Sequence, residues 1–495
     1  MDTPDTAPTA PTGPAAHPPG GHPADALAAR AAAAHAELRR RPTAYHGRLL
    51  HAVADRIDAV GPDLVSTAHR ETNLPEPGLT AELARTVRQL RMFADLAADG
   101  SHTEPVVDRA DPAARPPRSD LRRMLVGIGP VAVFGAGNFP LAFGAAGGDT
   151  ASALAAGCPV VCRPHPLHPR TARLTAAAVL AGLRDAGAPD GTFALLPDPA
   201  LEAGRRLVTA DPIRAVAFTG SSTGGRALFD LAAARPDPIP VYAEMGSVNP
   251  VVLLPDALAR RGEEIARGLA ASLTTGYGQL CTSPGVVLLP AGAGDFATRL
   301  LAALDEAPAG RLLSPDLARR LTAGLAELAA LRGVVVLRDG TADDDGAFTT
   351  TVLGTDTRTF TEHPSLREEY FGPATVLVRY DDPAALPAVL RALPPGLTVT
   401  VHGDAEAELV DAAVQQAGRV VFDGFPTGVA VSPAMTHGGP YPATTSVLHT
   451  AVGPTAVRRF LRPVTYQNAP RSALPPELRD DRPASPTSRE NPPCA

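Results

Sequence analysis

Lysine and tryptophan are absent from this 495-residue chain, and cysteine occurs only four times. Without lysine, all 45 basic residues are arginine, spread along the chain against 52 acidic residues for a net charge of -7. No basic run gathers the positive potential that nucleic acid or an anionic membrane surface selects, so neither is an expected partner. Cysteines this sparse cannot build a disulfide framework in so long a chain. No apolar run has the length of a membrane span, and the N-terminus lacks a charged start followed by an apolar block. A soluble, cytoplasmic protein is expected.

What is present is enough apolar material, 44% of residues, for more than one core, in a chain longer than one core usually supports. Residues 1–24 and 469–495 are dominated by Pro, Ala and small polar residues, and are expected to be loose tails. Between them, strand-length apolar runs alternate with helical patterns: "VAVFGA", "PVVCR", "FALLP" and "RAVAFTG", then "PVVLLP", "GVVLLP", "VVVLRD", "TVLVRY", "LTVTVHG" and "RVVFDG". This is the cadence of βαβ units. Two α/β units with parallel sheets follow, joined around Glu244 to Asn249.

Several stretches carry candidate chemistry. In "AFTGSSTGGRALFDLA" a strand runs into Gly220, Ser221 and Gly225 and then a helix, where helix N-terminal amides meet phosphate; an ordinary strand-to-helix turn reads the same way. Asn138 in "VFGAGNFPLAF" sits at a turn before a helix, where it can cap the helix or present an amide to a cleft. Glu244 in "VYAEMGSVNP" ends a strand, the edge where open α/β sheets place their sites. Cys281 in "GYGQLC" follows a helix in Gly-rich surroundings that favour a reactive sulfur, or it is an inert thiol. Cys158 and Cys162 lie in an apolar stretch without a second ligand pair, so they read as buried filler and no metal is expected.

Taken in order, "GNFPLAF", "FTGSSTGG", "AEMGSVNP", "GQLC" and "EEYFGP" resemble the aldehyde dehydrogenase superfamily over about residues 25–468. "HPLHP", "HGGPYPATT" and "RRFLRPVTYQN" are similar to the branch holding α-ketoglutarate semialdehyde (2,5-dioxopentanoate) dehydrogenases and an NADP-dependent fatty-aldehyde dehydrogenase. The resemblance implies a Rossmann-like cofactor-binding domain (25–110 and 128–245), an α/β catalytic domain (246–440) and a small β oligomerisation element (111–127 and 441–468), pairing subunits into a homodimer or homotetramer. It implies Cys281 as nucleophile, Asn138 as oxyanion donor and Glu244 as base for hydrolysis of a thioester. Cofactor contacts are implied for Phe134, Arg163, Gly220, Ser221, Gly225, Glu369 and Phe371.

Two departures bear on the cofactor. Arg163 stands where the superfamily has lysine, and Pro166 where a carboxylate favours NAD. With that carboxylate gone, Arg163 and Arg205 or Arg206 could meet a 2′-phosphate, so NADP is expected ahead of NAD. For the substrate's distal carboxylate, Arg459 and Arg462 are candidates by charge alone, and His437 reads as a loop anchor, not a base. The rival readings are a fatty or other aliphatic aldehyde, an enzyme passing its acyl group to coenzyme A, and a catalytically degenerate nucleotide-binding scaffold.

Overall fold

The computed structural model describes residues 22–197, 200–340, 342, 346–481 and 489–490. Four helices open the chain: Pro23–Leu38, Thr43–Ala59, Gly61–Thr72 and Glu76–Asp99. Each buries one stripe at helical spacing, such as Leu49, Leu50, Val53, Ala54 and Ile57 on the second and Leu79, Leu90, Phe93, Ala94 and Ala97 on the fourth. The stripes of the second and fourth helices cover one face of the first sheet, where Val131, Val133, Val160 and Ala215 complete the core, while Ala24, Ala28 and Ala31 of the first pack on the opposite face with Ala132, Phe134 and Val161. Helix Glu76–Asp99 stops at Gly100, whose φ of 70° is a left-handed cap that glycine adopts without strain.

The first sheet has five parallel strands in the order Phe193–Leu195, Val160–Arg163, Val131–Phe134, Ala215–Thr219, Val241–Glu244. The chain winds outward one way from Val131–Phe134, then returns to the other side of it. That reversal opens a crevice at the carboxyl ends of Val131–Phe134 and Ala215–Thr219. A second sheet of seven strands spans Val251–Leu253 to Ala417–Phe422; its edge strand Val335–Arg338 is antiparallel and the rest are parallel. The α/β fold and its parallel sheets match the expectation from sequence. Strand Thr351–Asp356 and helices Leu386–Ala392 and Ala407–Gln416 went unread, because short elements give too few turns of periodicity.

In the third sheet Leu121–Gly127 pairs antiparallel with Leu461–Gln467 and with Val106–Asp108. The segments expected to pair between subunits thus pair with each other inside one chain, and Leu461–Gln467 is the outer strand. The expected loose ends need correction. Pro23 and Ala24 already belong to the first helix, and Leu474 and Leu478 are buried against Met124, so the chain stays packed well past residue 469. The rest of both expected tails, 1–21, 482–488 and 491–495, lies outside the described residues. Among those described, no helix is long and apolar enough to cross a membrane.

Candidate active site

Glu244 closes the outer strand of the first sheet and is buried. A returning segment lies along that strand: Met245 N–H donates to the Ala443 carbonyl at 2.8 Å, and Thr445 N–H to Ala243 at 3.1 Å. Edge pairing of this kind satisfies exposed backbone groups, and it lays residues 437–450 over Glu244. His437 is then fixed by its neighbours, its N–H donating to Thr450 Oγ1 at 2.8 Å and its carbonyl accepting from Ala451 N–H at 2.9 Å.

Cys281 follows helix Pro255–Thr274 and a tight turn, Thr275–Gly278. The turn runs left-handed through Gly276, Tyr277 and Gly278; a Cβ on Gly278 would stand 2.5 Å from Pro373 Cα, so that position needs glycine twice over. Asn249, fully buried with φ of 52°, locks the next stretch. Its Nδ2 donates to the carbonyls of Cys281 at 2.8 Å and Ser283 at 3.0 Å, while its Oδ1 accepts from Ser247 Oγ at 2.7 Å and Thr398 Oγ1 at 2.9 Å. Asn249 was seen in sequence only as a joint between units. Nothing local announces a clamp whose partners lie up to 149 residues away.

Asn138 Nδ2 donates to the Gln279 carbonyl at 3.0 Å, which holds the amide two residues from Cys281 and leaves its second hydrogen for another acceptor. The Asn138 turn is braced from the N-terminal helices. Glu82 Oε1 accepts from the N–H groups of Leu141 and Ala142, both at 2.8 Å.

Around the sulfur, His437 Nε2 lies 3.6 Å from Cys281 Sγ and 2.9 Å from Glu244 Oε1. One donor atom from each of the three residues lies within 4.8 Å of the others. His437 is therefore more than a loop anchor. The His437–Glu244 contact is of ion-pair length but poorly aimed for a hydrogen bond, leaving both carboxylate oxygens without a directed donor. Burial, then the charges of Glu244 and Glu369, push the Cys281 thiol well above its ordinary range, with Arg85 opposing. A sulfur so placed rests as a thiol at neutral pH, and a thiolate forms there only with a base beside it. Cys158 and Cys162, pushed up to about 12 by burial, are inert as expected.

The remaining expected residues are spread over the first sheet and the segments that face it. Ser221 caps helix Ser222–Ala233, its Oγ accepting from Gly224 N–H at 3.2 Å, and Gly220 leads into that turn. A Cβ on Gly225 would stand 2.6 Å from Met245 Sδ. Arg163 ends its strand with its guanidinium 5.8 Å from the Phe134 ring centre, and both side chains press on Gly204. Arg205 is exposed and forms no ion pair among the described residues, whereas Arg206 is held by Asp25 at 2.9 Å. Glu369 packs on Gly246, where a Cβ would come within 2.2 Å of its Oε2; its carboxyl is pushed upward by the protein around it although the side chain keeps contact with water. Phe371 is half-buried against the cluster of Leu74, Leu79 and Leu313. Of the arginines suggested for a distal carboxylate, Arg459 is buried in an ion pair with Asp149 at 2.8 Å, and Arg462 lies exposed on the outer strand.

Comparison with known proteins shows the family of the chain and its fold. The profile of the aldehyde dehydrogenase family matches residues 13–463. Alpha-ketoglutaric semialdehyde dehydrogenase 2 of Azospirillum brasilense is 45% identical over 454 residues, covering 90% of this chain and 86% of the relative. Alpha-ketoglutaric semialdehyde dehydrogenase of Acinetobacter baylyi is 41% identical over 444 residues, covering 88% and 84%. Among solved structures, PnpE in complex with nicotinamide adenine dinucleotide superposes with a TM-score of 0.77 at 23% identity, over 90% of each chain, which speaks for the fold.

Proposed function

Because the chain belongs to the aldehyde dehydrogenase family and is an aldehyde oxidoreductase that uses a nicotinamide dinucleotide, we propose that it oxidises 2,5-dioxopentanoate, or a related semialdehyde, to the carboxylic acid. NADP is the proposed cofactor, with NAD also accepted. The main support is the meeting of Cys281, His437 and Glu244 within 4.8 Å, beside an amide that Gln279 holds in place. The names of the two relatives favour the semialdehyde over a fatty aldehyde.

The crevice suits a dinucleotide. The turn at Gly220 and the start of helix Ser222–Ala233 offer its phosphates the backbone N–H groups of a helix N-terminus, with Gly225 letting that helix pack closely on Met245, and Glu369, seated against Gly246, lies where it can hold a ribose. Exposed Arg205 supports a 2′-phosphate contact. Bound there, the nicotinamide supplies the acceptor for the hydride that leaves the aldehyde carbon.

The chain's own residues carry the rest. The Glu244–His437 pair takes the Cys281 proton, and the sulfur bonds to the aldehyde carbon. The oxygen, now negative, is held by the Asn138 amide and the Cys281 N–H, each such donor contributing about 3 kcal/mol to the barrier reduction. Once the carbonyl re-forms, a thioester joins substrate to Cys281. Glu244 then removes a proton from water, the hydroxide attacks the thioester carbon, and the sulfur departs with the acid released. A carboxylate so close to the sulfur supports water over coenzyme A as acceptor.

Residues 25–110 with 128–245 are proposed as the cofactor domain and 246–440 as the catalytic domain. The proposal extends to a cytoplasmic homodimer or homotetramer joined through 111–127 and 441–468. That second segment exposes Tyr441, Val447 and Leu448, the last at 85%.

Mixing enzyme, 2,5-dioxopentanoate and NADP without coenzyme A should yield reduced cofactor and free acid. Cys281→Ala should yield neither, and Glu244→Gln should accumulate an acyl adduct on Cys281 visible by intact-protein mass. Undiminished turnover by the Cys281 variant overturns the proposal.

A further inference from the structure

Helix Glu76–Asp99 presents three polar side chains at i, i+3 and i+7 on one face: Glu82, Arg85 and Gln89. Glu82 braces the Asn138 turn. Arg85 lies over Phe143 in that same turn, its guanidinium 5.6 Å from the ring centre. Its Nε and Nη2 are buried and make no hydrogen bond among the described residues. Gln89, one turn on and buried, has its Nε2 in the same condition. Gln89 Oε1 and the Ala451 carbonyl both lie 3.7 Å from the point a Cβ on Gly148 would occupy, so the Gln89 side chain and the segment that fixes His437 flank the same glycine.

Buried donors in native proteins are almost always satisfied, and Arg85, itself half-buried, has Glu82 as the near opposing charge on its own helix. Three such donors side by side, on a face that borders the catalytic turn, describe a place prepared for an anion. Nε and Nη2 form one edge of the guanidinium fork, the edge that takes both oxygens of a carboxylate. Glu82 is already engaged by two backbone N–H groups. Burial lowers the Arg85 pKa, and the charges that oppose this are Glu82 first, then Cys281 and Glu244.

We propose that Arg85, with Gln89 as second donor, binds the distal carboxylate of a semialdehyde whose aldehyde carbon rests at Cys281, and so sets specificity for acid-bearing aldehydes. The proposal rests on the semialdehyde reading above and deepens it. An alkyl aldehyde would leave the three donors buried and unmatched, and a site of that kind rejects the substrate that lacks the polar group.

The test compares kcat/KM for 2,5-dioxopentanoate with that for pentanal, which has the same chain length and no charge. Wild-type enzyme should favour the acid. In R85M that preference should fall about 10- to 100-fold, mainly through KM for the acid, as expected for loss of a charged hydrogen-bond partner. R85K, which keeps the charge but not the fork, should fall between, and it carries the test should R85M not fold. A wild-type enzyme with no preference for the acid overturns the semialdehyde reading and this proposal with it. A wild-type preference that persists in R85M and R85K, or variants in which both substrates decline in parallel, overturns the proposal alone.

Discussion

Replacing His437 with alanine removes the nitrogen 3.6 Å from Cys281 Sγ and 2.9 Å from Glu244. Burial and two carboxylates raise the thiol well above its ordinary value of 9.0. At pH 7.5 such a thiol is ionised in fewer than roughly 3% of molecules, so attack on the aldehyde depends on a base that takes the proton as the bond forms. General-base assistance contributes about 10²- to 10⁴-fold. Glu244 remains in H437A, which points to the lower end: a fall of about 10²-fold in the acylation rate, or ~2.7 kcal/mol in the barrier. The assay is the rapid burst of reduced cofactor at saturating aldehyde, alongside inactivation by iodoacetamide from pH 6 to 10. Wild-type alkylation should climb with pH beyond the ordinary thiol range, and H437A should be alkylated more slowly at neutral pH. A wild-type plateau near pH 7, or equal burst rates in the two proteins, refutes the reasoning.

Asn138→Ala removes one oxyanion donor and should lower kcat about 10²-fold with little change in cofactor affinity; steady-state kinetics with cofactor titration check both halves. Glu82 has its pKa raised to about 7 by burial, against an ordinary 4.5. The unfolded chain therefore gives up this proton first as pH rises, and stability from this group is present at low pH and lost between about 4.5 and 7. Glu82→Gln keeps an oxygen for Leu141 and Ala142 and should flatten the decline in Tm over that window; an unchanged slope by calorimetry counts against the assignment. With a thiol, an imidazole and a carboxylate within 4.8 Å, micromolar Zn²⁺ should inhibit by ligating all three, a chelator should restore activity, and H437A should resist. Equal sensitivity of H437A shows that zinc acts elsewhere.

Most strands of both parallel sheets and several of the helices between them could be read directly, because apolar runs and helical stripes are local patterns, whereas the four N-terminal helices and helix Pro315–Ala329 went unread. The turns at Asn138, Gly220 and Cys281, where a strand or helix end meets glycine, could also be read. The closeness of His437 to Cys281 and Glu244 was hidden for the opposite reason. In "THGGPYP" it looks like one more loop residue, and only the pairing of 443–445 with the edge strand Val241–Glu244 carries it to the sulfur. Arg85 was invisible among 45 evenly scattered arginines. Arg459, chosen by charge, proved to be neutralised by Asp149.

From its own letters, then, this protein could be assigned its layered α/β architecture and a set of reactive side chains at strand and helix ends, since periodicity and turn chemistry act over a few residues. Which of those side chains lie together, and which cations are neutralised as Arg459 is by Asp149, depended on contacts between segments more than a hundred residues apart. Burial and charge pairing at those contacts exist only once the chain has folded.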